Sequence, residues 1–430
     1  MAIGRATAPV VAGHFRAACL SLVVAIAVAG CVAAPATGSP TASLSPAGSL
    51  AARSSPTGWP VSPSRFSVTG SMVQGRASGT ATLLREGRVL ITGGFDIPGG
   101  VGTASQSLAS AELYDSSTGT FSPTGSMTTA RSDQTATLLD DGRVLITGGQ
   151  GSTEGPDGTF NLSSAELYEP ATGKFTATGS MMVARYDHTA ALLADGRVLI
   201  AGDNFAAAKE DRAELYDPAT GKFSPTGSMI WPGWYRTATM LADGRVLVAG
   251  GGESGTLPAP TPTPTEPASS PMGVVYEPGA SAELYDPKTG TFSATGSMTA
   301  WRSRGGAVLL PNGRVLLLGG GVASAELYDP ATGKFSPTGS MGVSRTSQTA
   351  TLLSDGRVLV TGGQSTGGSE LDSAELYAPT TGLFSPAGLL SQGRDLDTAA
   401  LLSNGRVLIA GGMASDGTVL ATAEVYAPNN

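Results

Sequence analysis

Three short signatures, each present seven times, predict an all-β chain folded as a seven-bladed β-propeller of four-stranded blades. Gly-Arg-Val starts at Gly87, Gly142, Gly196, Gly244, Gly313, Gly356 and Gly405, and Ala-Glu-(Leu/Val)-Tyr starts at Ala111, Ala165, Ala213, Ala282, Ala325, Ala374 and Ala423. The third, mostly Phe-Ser-Pro-Thr-Gly-Ser-Met, opens at Phe66, Phe121, Phe175, Phe223, Phe292, Phe335 and Phe384. Composition agrees: 60 Gly and 28 Pro in 430 residues favour turns over helices, while 40% hydrophobic residues is too apolar for a disordered chain. Gly keeps no three-residue period, which excludes collagen. Charged residues are 14% of the chain and the net charge is −8, so nucleic acid, whose phosphates call for basic patches, is not an expected partner.

The chain opens on Arg5 and Arg16 followed by an apolar run from Ala17 to Ala29, long enough for the core of a signal peptide and short for a membrane span. The run ends Val28-Ala29-Gly30-Cys31, which resembles the lipobox of bacterial lipoproteins. That resemblance implies cleavage before Cys31, lipidation of its thiol, and an extracytoplasmic protein held at a membrane of the cell envelope. Residues 1–30 are therefore expected to be a signal peptide. Residues 31–64, rich in Ala, Pro, Ser and Thr with scarcely a charge, are expected to be a flexible tether, and residues 65–430 the propeller. The only cysteines are Cys19 and Cys31, so the expected mature domain has neither a disulfide nor a thiol nucleophile.

Each unit reads as four strands. Thr135 to Leu139 meets Arg143 to Gly149 through Asp141-Gly142, and Asp-Gly or Asn-Gly between apolar runs predicts a type I′ hairpin; six of the seven units have it, Glu86-Gly87 being the exception. The third strand is Ala-Glu-Leu-Tyr-Asp, and a Pro-Ala-Thr-Gly turn leads to a fourth that begins at Phe. The first two strands are nearly continuously apolar, as in sheets covered on both faces. The fourth carries Pro123, Pro225, Pro337 or Pro386, and proline, lacking a donor, belongs on an outer edge. Because the chain enters at an outer strand and leaves after a third strand, Phe66 to Ser71 should complete the last blade.

These residues resemble a Kelch-repeat propeller: an apolar strand ending in Gly148-Gly149, then Tyr168-Glu169-Pro170 and a turn, then Phe175 opening the outer strand. The resemblance spans about residues 66–427, with Phe where Kelch units usually have Trp, and with Gly202-Asp203 replacing Gly-Gly in one blade. Galactose oxidase has a Kelch-type propeller of this kind, and its copper-radical site implies a Cys-crosslinked Tyr and two His. Here no Cys follows Cys31 and His14 lies in the signal segment, leaving His188 alone, so no copper site, metal or other cofactor is expected.

Alternating strand direction puts the loops between strands four and one, and between two and three, on one face. Short stereotyped turns make the other face a floor. The variable loops include the Thr-Pro-rich stretch 253–281, and long loops on a rigid scaffold are where binding resides. Trp231, Trp234, Tyr235 and Arg236 in one loop, with Trp301, Arg302 and Arg304 in the next, form a candidate ligand-binding group, since aromatic faces and planar Arg donors suit sugars or extended peptides. The competing reading has these rings anchor the Thr-Pro excursion.

A second candidate is a collar at the channel mouth: Arg76, Arg131, Arg185, Arg302, Arg345 and Arg394 stand eight residues before the end of each Leu pair, with Gly233 in that place in the fourth unit. Asp133, Asp187 and Asp397 stand nearby to pair with them, and His188 adjoins Asp187. A structural role weighs more than a cationic binding ring here, because residues repeated in every unit are not what a single asymmetric site needs. No catalytic residue is assigned: no Gly-x-Ser-x-Gly elbow accompanies His188. The expected function is a binding or interaction scaffold, monomeric, for an envelope protein or polysaccharide. The runner-up is a carbohydrate-active enzyme (lyase, epimerase or hydrolase) using carboxylates and Arg at the channel mouth.

Overall fold

The computed structural model describes residues 65–428, apart from 101, 153–159, 203–211, 232 and 256–274. The expected signal peptide, lipidation site Cys31 and tether, and most of the Thr-Pro loop, lie outside the described residues. Those residues form no helix, and so none long and apolar enough to cross a membrane. They form seven four-stranded antiparallel sheets, one per repeat, accompanied by two small ribbons on the loop face. Blade 2 is representative, with strands Thr135–Leu138, Val144–Thr147, Ala165–Glu169 and Lys174–Ala177 running from the axis outward. The innermost strands touch their neighbours in a closed cycle, from blade 1 round to blade 7 and back to blade 1.

Burial explains why the repeats stack. The second strands, such as Val89–Thr92 and Val198–Ala201, are buried at every position, with a hydrophobic sheet on each side. Seven separate apolar clusters occupy the seven interfaces between blades. In the cluster between blades 1 and 2, Leu90, Ala111 and Leu113 of one blade meet Val144, Ile146 and Tyr168 of the next. No blade can bury both faces alone, so stability propagates from neighbour to neighbour. Each tyrosine of the third strand also tilts against the Phe that opens its own outer strand, ring centroids 4.8 Å apart for Tyr168 and Phe175. Its hydroxyl shares a hydrogen bond with a threonine of the preceding blade, as Thr124 Oγ1 and Tyr168 OH do at 3.0 Å. Blade 6 has Ala387 where that threonine falls, and there Arg65 Nη1 donates to Tyr426 OH instead.

The hairpins differ from the type I′ expectation. In blade 2 the Leu139 N–H donates to Arg143 O at 2.8 Å and the Gly142 N–H to Leu139 O at 3.0 Å, and only Gly142 is left-handed, φ 90°. This is a type I turn closed by a left-handed glycine in a three-residue loop. In blade 2 Asp141 Oδ1 also accepts the Arg143 N–H at 3.0 Å, and Glu86-Gly87 of blade 1 closes the same loop with a glutamate in that place.

The ring closes as expected. Phe66–Val68 pairs antiparallel with Ala423–Tyr426 as the outer strand of blade 7, Phe66 opposite Tyr426. Arg65 and Ala427, beside the two ends of the paired strands, lie on the turn face, joined by a hydrogen bond from Ala427 N to Arg65 O at 3.0 Å. Removing residues up to Ser71 is expected to lower the unfolding midpoint by roughly 5–10 °C, because blade 7 loses its outer strand and the Phe66–Tyr426 contact. Calorimetry of the truncated chain checks this, and an unchanged midpoint would refute closure as a source of stability.

Candidate functional site

Two rings of residues surround the loop-face end of the channel, and the structure gives them different work. The first is the arginine collar. Arg131 is fully buried; its Nη1 donates to Gly148 O at 2.8 Å and Ser164 O at 3.0 Å, and its Nη2 to Ser164 Oγ at 3.2 Å and Glu166 Oε1 at 2.9 Å. Glu166 in turn accepts the N–H groups of Thr128 and Thr129 in the incoming loop. One guanidinium and one carboxylate thus tie together the end of the second strand, the start of the third and the crossover from the previous blade. Arg76, Arg185, Arg302, Arg345 and Arg394 do the same with Glu112, Glu214, Glu326, Glu375 and Glu424. The partner is the glutamate of Ala-Glu-Leu-Tyr, not Asp133, Asp187 or Asp397 as the sequence led us to expect, and the collar does not present its charge to the channel.

Blade 4 keeps this arrangement by another route. A Cβ on Gly233 would fall 1.9 Å from Gly252 O, so no arginine fits there. Arg236, three residues later, is buried and reaches the same targets, with Nη2 3.1 Å from Ser281 Oγ and Nη1 3.9 Å from Glu283 Oε1. Arg236 and Arg302 therefore belong to the collar and not to an exposed binding group.

The second ring lies two residues beyond the collar. Seven non-glycine residues among those described have positive φ: Ser78, Asp133, Asp187, Tyr235, Arg304, Ser347 and Leu396, one in each blade, with φ between 51° and 57°. Every other left-handed residue described is glycine. The backbone N–H of Asp133 donates to Ser78 O, that of Asp187 to Asp133 O and that of Tyr235 to Asp187 O, each at 3.2 Å, so the ring is stitched blade to blade. A left-handed conformation costs a side-chain-bearing residue about 1 kcal/mol, more for Tyr, Arg and Leu than for Asp. Glycine would avoid that cost, yet no blade uses it.

The side chains of this ring meet each other. Arg304 donates to Tyr235 OH and lies over the Tyr235 ring, its Cζ 3.9 Å from the centroid. Asp187 stands on the far side of Tyr235, close enough to act on its hydroxyl. Burial, and then Asp187, push the Tyr235 phenol up, so it stays protonated. Burial opposes the Arg304 charge, but Tyr235, Asp187 and Asp133 hold its pKa above the ordinary value. Burial raises the Asp133 carboxyl above the usual range, against the opposing influence of Ser78, Ser132 and Arg304. Asp395, one residue beyond Arg394, is pushed up to about 6 by burial and by Glu370. The mouth thus holds several carboxylates around one arginine that crosses toward them. Asp395, Glu370, Ser78 and Ser347 were not singled out from sequence; the signal that finds Asp395, Ser78 and Ser347 is their place just beyond the collar arginine, whereas Glu370 lies in a variable loop and has no such signal.

The tryptophans separate. Trp231 and Trp234 are half-buried, and the Trp234 ring covers Gly252, where a Cβ would lie 2.6 Å from Cε2, at the root of the 253–281 excursion. Trp301 is 46% exposed and rests on Gly321 in blade 5, whose loop between strands two and three is short. Trp234 and Trp301 each lie on a glycine that leaves room for the ring.

His188 and Asp397 occupy equivalent slots between blades. His188 Nε2 lies 3.1 Å from both Thr135 Oγ1 and Thr147 Oγ1, and burial, with Arg185 and Arg131 nearby, pushes it down to about 3. It is a neutral packing residue. In other blades the slot holds Gln134, whose Nε2 donates to Thr92 O at 3.0 Å. Asp397 has no such donor; both of its oxygens are buried without a hydrogen-bond partner, and burial pushes it up to about 7.

The fold matches solved structures, among them a fungal alcohol oxidase with catalytic diversity among the AA5 family, in complex with copper. The TM-score is 0.62 at 16% identity, covering 86% of this chain and 76% of that one. No family model matches the sequence, and no curated protein does. The likeness shows the propeller fold. The donor set here does not fit copper: His188 is the only histidine in the propeller, and the described residues contain no group of three His, Cys, Asp or Glu placed to hold a metal.

Asp397 carries a pH prediction. Its folded pKa, about 7, lies above the unfolded value, so its contribution to stability is complete below about pH 4 and is lost as pH rises through 7. Asp397→Asn is expected to flatten the fall in unfolding midpoint between pH 5 and 8. Identical pH profiles for the two proteins in thermal melts would rule this out.

Proposed function

We propose that this protein is a Kelch-type propeller that binds saccharide through its loop face, anchored outside the cytoplasm by lipid on Cys31. The observation that supports binding is the contrast between the two rings. Collar positions repeat one chemistry in every blade and are consumed by the fold. The left-handed ring repeats the backbone but varies the side chain, keeping Asp133, Asp187, Tyr235 and Arg304 at a conformational cost that glycine would remove. Strain retained for the sake of side chains that meet one another at the channel mouth supports a functional role.

Trp301 supplies an exposed flat ring beside this mouth, and planar hydrogen-bonding groups next to an aromatic face suit a pyranose. A monomer suffices for this role.

A second reading, a carbohydrate-active enzyme, draws on one observation. Asp133, raised by burial, shares the ring with a protonated Tyr235 and with Arg304, a set able to hand over a proton beside a fixed positive charge. If so, Asp133→Asn would abolish turnover of a bound oligosaccharide while leaving its retention intact.

Trp301→Ala and Arg304→Ala are each expected to weaken retention on a glycan array about tenfold or more, with the unfolding midpoint little changed. Unaltered retention in both variants, with tryptophan fluorescence unmoved by any glycan, would overturn the binding reading.

A further inference from the structure

The arc of the loop face over blades 5 to 7 holds acid that the fold does not use. Asp395 is 6% exposed, and its Oδ1 has no hydrogen-bond partner within the described protein. Its backbone is fixed by exchange with Met413, N to O at 3.1 and 2.8 Å. Beside it stands Glu370. A Cβ on Gly393 would come 2.5 Å from Glu370 O, and the Arg394 N–H donates to Leu371 O at 3.2 Å, so the two acids share one corner. Each repels the other's charge, and a buried carboxylate without a donor is costly. Arg304 acts on Asp395 from across the mouth, but its guanidinium is already held on Tyr235.

The corner continues toward the exposed tryptophan. Glu370 Oε1 accepts from Gln364 Nε2 at 3.3 Å, and Gln364 exchanges backbone hydrogen bonds with Thr346, both at 2.9 Å. The Thr346 methyl and the Trp301 ring both border Gly321. An aromatic plate, two neutral hydrogen-bonding residues and a pair of acids therefore follow one another along the surface.

We propose that this arc binds an oligosaccharide bearing free primary amines, one ring stacked on Trp301 and the ammonium of a further ring between Glu370 and Asp395. The inference rests on the saccharide-binding reading and narrows it to a ligand class. An ammonium offers three donors on one compact charge, supplying the bond Asp395 Oδ1 lacks and relieving the repulsion at the corner. A hard divalent cation would need about six oxygen ligands, whereas the described residues assemble no group of three acids or imidazoles for a metal.

Titration of the purified protein with glucosamine oligosaccharides, their N-acetylated counterparts, neutral glucose oligosaccharides and a lysine-rich peptide, read by tryptophan fluorescence and calorimetry, tests this. The free-amine series is expected to bind at least about tenfold tighter than the acetylated one. Asp395→Asn and Glu370→Gln should each erase that preference without shifting the unfolding midpoint by more than a few degrees, and Trp301→Ala should weaken both series. Equal binding of free and acetylated sugars, with Asp395→Asn unchanged, would overturn the amine assignment and leave saccharide binding standing. Binding of the peptide alone would also overturn it, and binding of no saccharide would overturn both.

Discussion

The buried arginine–glutamate pair of each blade is the interaction on which the rest of the molecule depends. Apolar packing between blades supplies most of the driving force, but it is non-directional and would tolerate slippage between similar sheets. The pair fixes the register, because Arg131 and Glu166 together satisfy two carbonyls, a serine hydroxyl and two backbone N–H groups drawn from three separate segments. Burial lowers the Arg131 pKa against the pull of Glu166, a sign of how fully the charge is desolvated. A buried pair of this kind is weak as a source of net stability and strong as a constraint, since losing one partner strands the other. Blade 4 shows the constraint at work: where Gly233 is forced by the close approach of Gly252, the guanidinium returns from Arg236.

With loop ends pinned at seven points, the next residues round the channel have almost no freedom. Each crossover must turn into the innermost strand within two residues, and the left-handed position is the result. Backbone geometry there is common to all blades, which leaves the side chain as the variable. That division lets a repetitive scaffold carry an asymmetric mouth, acidic toward blades 2, 3 and 7, with Tyr235 and Arg304 from blades 4 and 5 reaching into it.

Most of the fold was legible in the sequence because its determinants are local and repeated seven times. The Asp-Gly loops, the Pro-bearing outer strands and the closing role of Phe66 each follow from a property of one residue type. The hairpin type differs from expectation because the dipeptide does not fix the loop length: every unit, Glu86-Gly87 included, closes a three-residue loop on one left-handed glycine. The site was legible in part. Tyr235, Trp301 and Arg304 stood out as aromatic and arginine residues in consecutive loops, whereas Asp133 and Asp187 were read only as partners for the collar arginines. Arg236 was assigned to the wrong group because its role depends on the Gly233–Gly252 contact, and Asp395 and Glu370 were missed because only the packing of the blade 6 loop on the blade 7 crossover brings them together.

The central claim is that the collar builds the propeller while the left-handed ring serves what the propeller binds. Comparing the unfolding midpoint of Arg131→Met with that of the quadruple glycine replacement at Asp133, Asp187, Tyr235 and Arg304 tests it most directly. Stranding Glu166 is expected to destabilise by roughly 3–5 kcal/mol, whereas the four glycines, each relieving a left-handed side chain, should leave the midpoint within a few degrees of the parent. A quadruple variant that unfolds while Arg131→Met melts like the parent would contradict the account.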